Sequence, residues 1–158
     1  MMKKAVMLLI LLITVSAYAQ KKQNDFDLFR DKANSLAGKD AQFFKEHLSR
    51  QFDTRIGDLD NLFPKFNRNW GDLAIALELR RITHKPISDI ADAFGQKKGW
   101  GNIARELGIK PGSPEFKRMK DFMDGYENNW KTEWDKKGKG SNDPHGKGHD
   151  KNKGHGKK

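Results

Sequence analysis

The sequence predicts an all-α fold: a compact bundle of about six or seven short helices, with a cleavable export signal before it and a disordered tail after it. Three observations predict the bundle. Apolar residues recur at spacings of three and four through the middle of the chain. The runs are set off by helix punctuation, with Asn, Asp or Ser in front and Gly behind. No run alternates with period two between turn signals, so no sheet is expected.

Asn24-Asp25 precede Phe26, Phe29, Ala33, Leu36 and Ala37, and Gly38 reads as the stop of the first helix. Asp40 caps a second helix with Phe43, Phe44 and Leu48 inward. Ile56, Leu59, Leu62, Phe63 and Phe66 mark a third, shorter one, broken around Pro64. Trp70–Thr83 is apolar over much of its circumference, which predicts the central helix. Pro86–Phe94 follows with Ile87, Ile90, Ala91 and Phe94 apolar and Gly95 behind. Trp100–Leu107 is next, with Ile103, Ala104 and Leu107 inward and Gly108 as its stop. Ser113-Pro114 opens a long last helix, because Ser caps well and Pro suits the first helical position. Phe116, Met119, Met123, Tyr126, Trp130 and Trp134 form its stripe, and Gly125 weakens it by about 1 kcal/mol relative to Ala.

Both flanks of the bundle differ from it in composition. Met1-Met2-Lys3-Lys4, an apolar run from Ala5 to Val15, and Ala17-Tyr18-Ala19 have the layout of a secretory signal peptide over residues 1–19. The run is shorter than the ~20 residues that span a bilayer, so no transmembrane span is expected after cleavage. The chain is then expected to be exported, to the periplasm or the extracellular space. From Lys136 to Lys158 there are eight Lys, two Asp, six Gly and three His, and no aliphatic or aromatic residue. That segment carries a net charge of +6, while residues 20–135 carry +2 of the whole chain's +10. It cannot bury enough apolar surface to offset its ordering entropy, so it is expected to be a disordered tail. The helical domain is accordingly assigned to residues 20–135.

The tail suggests two chemistries. Lys136, Lys137, Lys139, Lys147, Lys151, Lys153, Lys157 and Lys158 would be drawn to an anionic envelope surface or another polyanion. His145, His149 and His155 would capture a divalent transition metal on a flexible chain, without fixed geometry and against the repulsion of neighbouring Lys. The chain has no Cys, which excludes disulfides, thiol nucleophiles and thiolate metal centres.

Within the body, Trp70-Gly71-Asp72-Leu73-Ala74 and Trp100-Gly101-Asn102-Ile103-Ala104 share one pattern thirty residues apart. Each Trp stands at a helix start, and each Gly would let another backbone approach. The plain reading is a pair of helix–turn units packing in the core. The sharper one makes Trp70 and Trp100 a paired aromatic site for a sugar, a peptide or an unknown protein partner. Here the chain resembles a group of uncharacterised small exported bacterial helical proteins, over Trp70–Ile109. The resemblance rests on the Trp70–Leu77 start, the Thr83-His84-Lys85-Pro86 turn, the Ile87–Phe94 helix and Gly99–Gly108. The turn there more often reads Thr-Gly-Lys, so His84 and Pro86 depart from the pattern. With no activity attached to that group, the resemblance implies an exported helical domain and no catalytic residue.

Other motifs carry less. Ile103–Ile109 followed by Ser113–Lys120 has the outline of a helix-turn-helix, with Lys117, Arg118 and Lys120 near phosphates. An exported chain does not meet the chromosome, which argues against specific DNA binding. Gly99–Ala104 matches a loose dinucleotide fingerprint, but that motif needs a strand before it. In the body only His47 and His84 are imidazoles; His47 reads as partly packed or exposed, and the acids as scattered over polar faces. No cofactor and no enzyme is expected. The function expected is non-enzymatic binding or a structural role in the envelope. A metal-binding accessory protein is one alternative, and a nucleic-acid binder, if the chain is retained, is another.

Overall fold

The computed structural model describes residues 24–140, as seven α-helices and one short 3₁₀ turn. They are α1 Asp25–Lys39, α2 Ala41–Phe52, α3 Ile56–Leu62, the 3₁₀ turn Phe63–Phe66, α4 Trp70–Thr83, α5 Ile87–Gly95, α6 Trp100–Glu106 and α7 Pro114–Gly140. The described residues hold no strand. None of their helices is long and apolar enough to cross a membrane. The expected signal over residues 1–19 lies outside the described residues.

Side-chain caps set the starts of four of the seven α-helices. Asn24, Asp40, Asn69 and Ser113 each accept the N–H of a residue three further on, at 3.0, 2.9, 2.9 and 3.1 Å. Asp40 also explains why Gly38 does not end α1. The helix runs on to Lys39, and the next residue already caps α2. Pro64 sits in the first turn of the 3₁₀ element, where its missing N–H costs nothing, so the chain tightens there without leaving a helical path. Pro86 is the N-cap of α5 and lies outside the helix.

α4 is the axis of the fold. Gly71 to Leu79 are nine consecutive buried residues, and α4 packs against α1, α2, α5 and α7. Glu78, on this helix, has no exposed surface. Its carboxylate takes a two-pronged bond from Arg81 at 2.7 and 2.8 Å, the arrangement that makes burial of a charge tolerable. The acids are therefore not confined to polar faces.

An aromatic seam holds α7 to α1 and α2. Phe29 meets Phe122 and Tyr126 at ring distances of 5.2 and 5.3 Å, and Phe43 meets Trp130 and Trp134 edge-on at 5.7 and 5.2 Å. α7 continues past the expected boundary at Lys136. Lys137 pairs with Asp40 at 3.0 Å and lies 4.9 Å from the Phe43 ring, so contacts with the body carry the helix into the lysine-rich segment. His47 is fully buried in the same seam, more deeply than the partly packed or exposed side chain expected. Its Nδ1 lies 3.0 Å from Glu133, which also takes Arg50 at 2.6 Å. Burial raises the Glu133 carboxyl, but the His47 and Arg50 bonds outweigh it and hold the group below its usual range.

Candidate functional site

The first turn of α4 forms one wall of a cleft of about 700 Å³ that also takes in the start of α1, the end of α5 and most of α6. Local packing fixes this turn. A Cβ at Gly71 would lie 2.5 Å from the Arg30 carbonyl oxygen and 2.6 Å from its Cα, so α1 and α4 touch backbone to backbone. The Gly71 N–H donates to Asn34 at 3.1 Å. The contact leaves Asp72 only 6% exposed.

Asp72 is the chemical centre of the cleft. Its Oδ1 accepts the indole N–H of Trp100 at 2.7 Å, across 28 residues of sequence. Its Oδ2 has no hydrogen-bond partner among the described residues. Burial pushes the carboxyl above its ordinary range, against the opposing pull of the Trp100 bond and the Arg30 charge. Arg30 is occupied by Asp27 at 3.1 Å and Asp31 at 3.4 Å. Lys98 is occupied by Glu106 at 2.8 Å. Arg105 bonds to the Asn102 side chain and, at 3.4 Å, to the Gly101 carbonyl, and no carboxylate pairs with it. Asn67, which lines the cleft, is in the left-handed region at φ 55°, as are its neighbour Arg68 at 56° and Lys97, next to the lining residue Lys98, at 58°. Such conformations cost free energy and gather where surrounding structure enforces them.

The two tryptophans do not form one site. Trp100 is 5% exposed, stacked on Phe94 at 5.0 Å, with its N–H given to Asp72. It lines the cleft as a buried support and offers no free face. Trp70 is half-buried and stacks on Phe63 at 4.0 Å, with Lys45 5.8 Å from its ring. It is not part of the cleft.

The remaining candidates are dispersed. His84 is the left-handed cap of α4, with φ 57°, beside a second hollow of about 600 Å³ that Arg80 and Lys85 also line. In the helix-turn-helix outline, seven residues separate α6 from α7, more than the usual three or four. Arg118 there pairs with Glu115 and Lys120 with Asp25, both at 2.9 Å. The fingerprint-like Gly99–Ala104 follows a helix. Lys136 is exposed, and Lys137 is tied to Asp40. His145, His149, His155, Lys147, Lys151, Lys153, Lys157 and Lys158 lie outside the described residues, as does the side chain of Lys139. The described residues contain no group of three or more His, Asp or Glu placed to hold a metal ion.

Beyond the Asn69-x-x-Asp72 spacing at the start of the most apolar helix, Asp72, Arg105 and Asn67 carry no site signal in the sequence pattern: Asp72 stands among the apolar residues of its helix, and its partner Trp100 comes from another helix. No family model, curated protein or solved structure matches the chain.

Proposed function

We propose that this is an exported, non-enzymatic binding protein of the cell envelope, periplasmic or extracellular, whose basic tail draws it to anionic surfaces while the α4–α6 cleft holds a ligand. The observation that carries this reading is the partition of charge: +6 in residues 136–158 against +2 in residues 20–135. A polycationic segment attached to a near-neutral body gains affinity by releasing counterions, and each Lys near an anionic bilayer contributes about 1 kcal/mol. The signal-like residues 1–19 support export, and so does the resemblance of Trp70–Ile109 to exported helical proteins. The cleft supports ligand binding through a carboxylate oxygen left free beside groups already held in place.

Sedimentation with phosphatidylglycerol vesicles tests the proposal. The comparison is between the chain from Gln20 to Lys158 and the same chain ending at Gly140, which keeps α7 whole. Binding by the longer chain in 20 mM salt should be several times stronger and should vanish near 0.5 M, as screening requires (roughly a 3 Å Debye length at 1 M). Residues 141–158, which the shorter chain lacks, carry five Lys and two Asp, +3 of the tail's +6, and equal binding by the two chains would refute a role for that part of the tail.

A further inference from the structure

We propose that the α4–α6 cleft recognises an acidic saccharide, with ring hydroxyls donating to Asp72 Oδ2 and a carboxylate held by Arg105. The inference rests on the reading of the cleft as a ligand site. It is independent of the tail.

Asp72 is more than nine-tenths buried, one of its oxygens is used by Trp100, and the other has no partner among the described residues while the residue lines the cleft. This oxygen is not one of the fully buried unpartnered atoms, so it touches solvent at the cleft and is open to a donor, O–H or N–H, from whatever enters. Charge then sets the polarity of the cleft. Asp27 and Asp31 surround Arg30, so the Asp72 end repels an anion. Arg105 stands five residues beyond Trp100, roughly 7.5 Å along the helix axis, and lacks a carboxylate partner. A ligand with donors at one end and a carboxylate at the other matches both ends. The Asn67 amide also has no hydrogen-bond partner among the described residues and supplies both a donor and an acceptor. Phe94 and Phe116, each half-buried, add apolar wall for the C–H faces of a sugar ring.

A peptide fits less well. Extended peptides dock on sheet edges, and the described residues have no strand. Helical peptides dock in apolar grooves, and this cleft is lined by Asn, Asp, Arg and Lys side chains as well as aromatic ones. A nucleobase would require an open aromatic face, which Trp100, 5% exposed, does not offer.

Calorimetric titration of the Gln20–Lys158 chain with a panel of uronate trisaccharides (galacturonate, mannuronate and glucuronate types), maltotriose and triglutamate tests the proposal. At least one uronate should bind, more tightly than maltotriose or triglutamate. Asp72→Asn keeps an oxygen for the Trp100 N–H and turns the free acceptor into a donor, so it should weaken uronate binding about tenfold or more. Arg105→Gln, on an exposed position, should do the same, and it carries the test if Asp72→Asn fails to fold. Absence of uronate binding, tighter binding of triglutamate, or undiminished binding by Arg105→Gln would overturn the proposal. The chain ending at Gly140 should bind the uronate as the longer one does. Retained uronate binding with weakened vesicle binding would therefore separate the cleft from the tail.

Discussion

The two Trp-Gly starts carry nearly the same five residues and bury opposite ones. In the first, Trp70 is half-buried, while Gly71 and Asp72 are buried. In the second, Trp100 is buried, while Gly101 and Asn102 are exposed. Only the aliphatic residue and the Ala behave alike: Leu73 and Ala74, Ile103 and Ala104 are all buried. The difference comes from the neighbours. Gly71 faces the backbone of α1, whereas a Cβ at Gly101 would meet nothing within 4 Å. The two copies are also joined, since the polar residue of the first accepts the indole N–H of the second. A shared motif thus records a shared way of starting a helix, and tertiary surroundings decide which of its side chains are used.

The sharpest way to break the symmetry is at the glycines. Gly71→Ala forces Cβ into backbone that cannot swing away, and should lower stability by about 3 kcal/mol, read as a fall in the urea midpoint. Next come the rings. Trp100→Phe leaves the buried Asp72 without its N–H donor and should cost about 2 kcal/mol. Trp70→Phe, whose indole N–H makes no hydrogen bond to a described residue, should stay within about 0.5 kcal/mol in the same titration.

A pH series sharpens the role of Asp72. Burial raises its folded-state pKa above the unfolded value of about 3.9, so the folded form holds its proton longer. Its contribution is most favourable below the unfolded pKa and is lost as pH rises through the folded one. The stability of Asp72→Asn relative to the parent should therefore increase from pH 3 upward and then level off. A relative stability of Asp72→Asn that falls with rising pH would contradict this. An effect of opposite sign to that at Gly71 belongs to Gly101→Ala: a gain of up to about 1 kcal/mol, because the position is helical, exposed and open.

Most helices were legible because their signals are local. Caps at Asn24, Asp40 and Ser113 and the apolar stripe of α4 need no knowledge of the rest of the chain. The errors occur where distant residues intervene. His47 is buried because Glu133, 86 residues away, receives its ring nitrogen. α7 persists into a lysine-rich, glycine-containing stretch because Asp40 and Phe43 hold Lys137. The cleft was illegible for the same reason, since Arg30, Asn67, Asp72 and Arg105 converge only once α1, α4 and α6 are packed.

The unbroken burial of α4 has a consequence for measurement. Amide protons from Leu73 to Leu79 have no short route to solvent, so they should exchange with deuterium only when the whole domain opens. Their exchange rate is then a gauge of total stability. A molecule gripping Asp72 alone would slow the entire stretch, by the mass-action factor of its own occupancy.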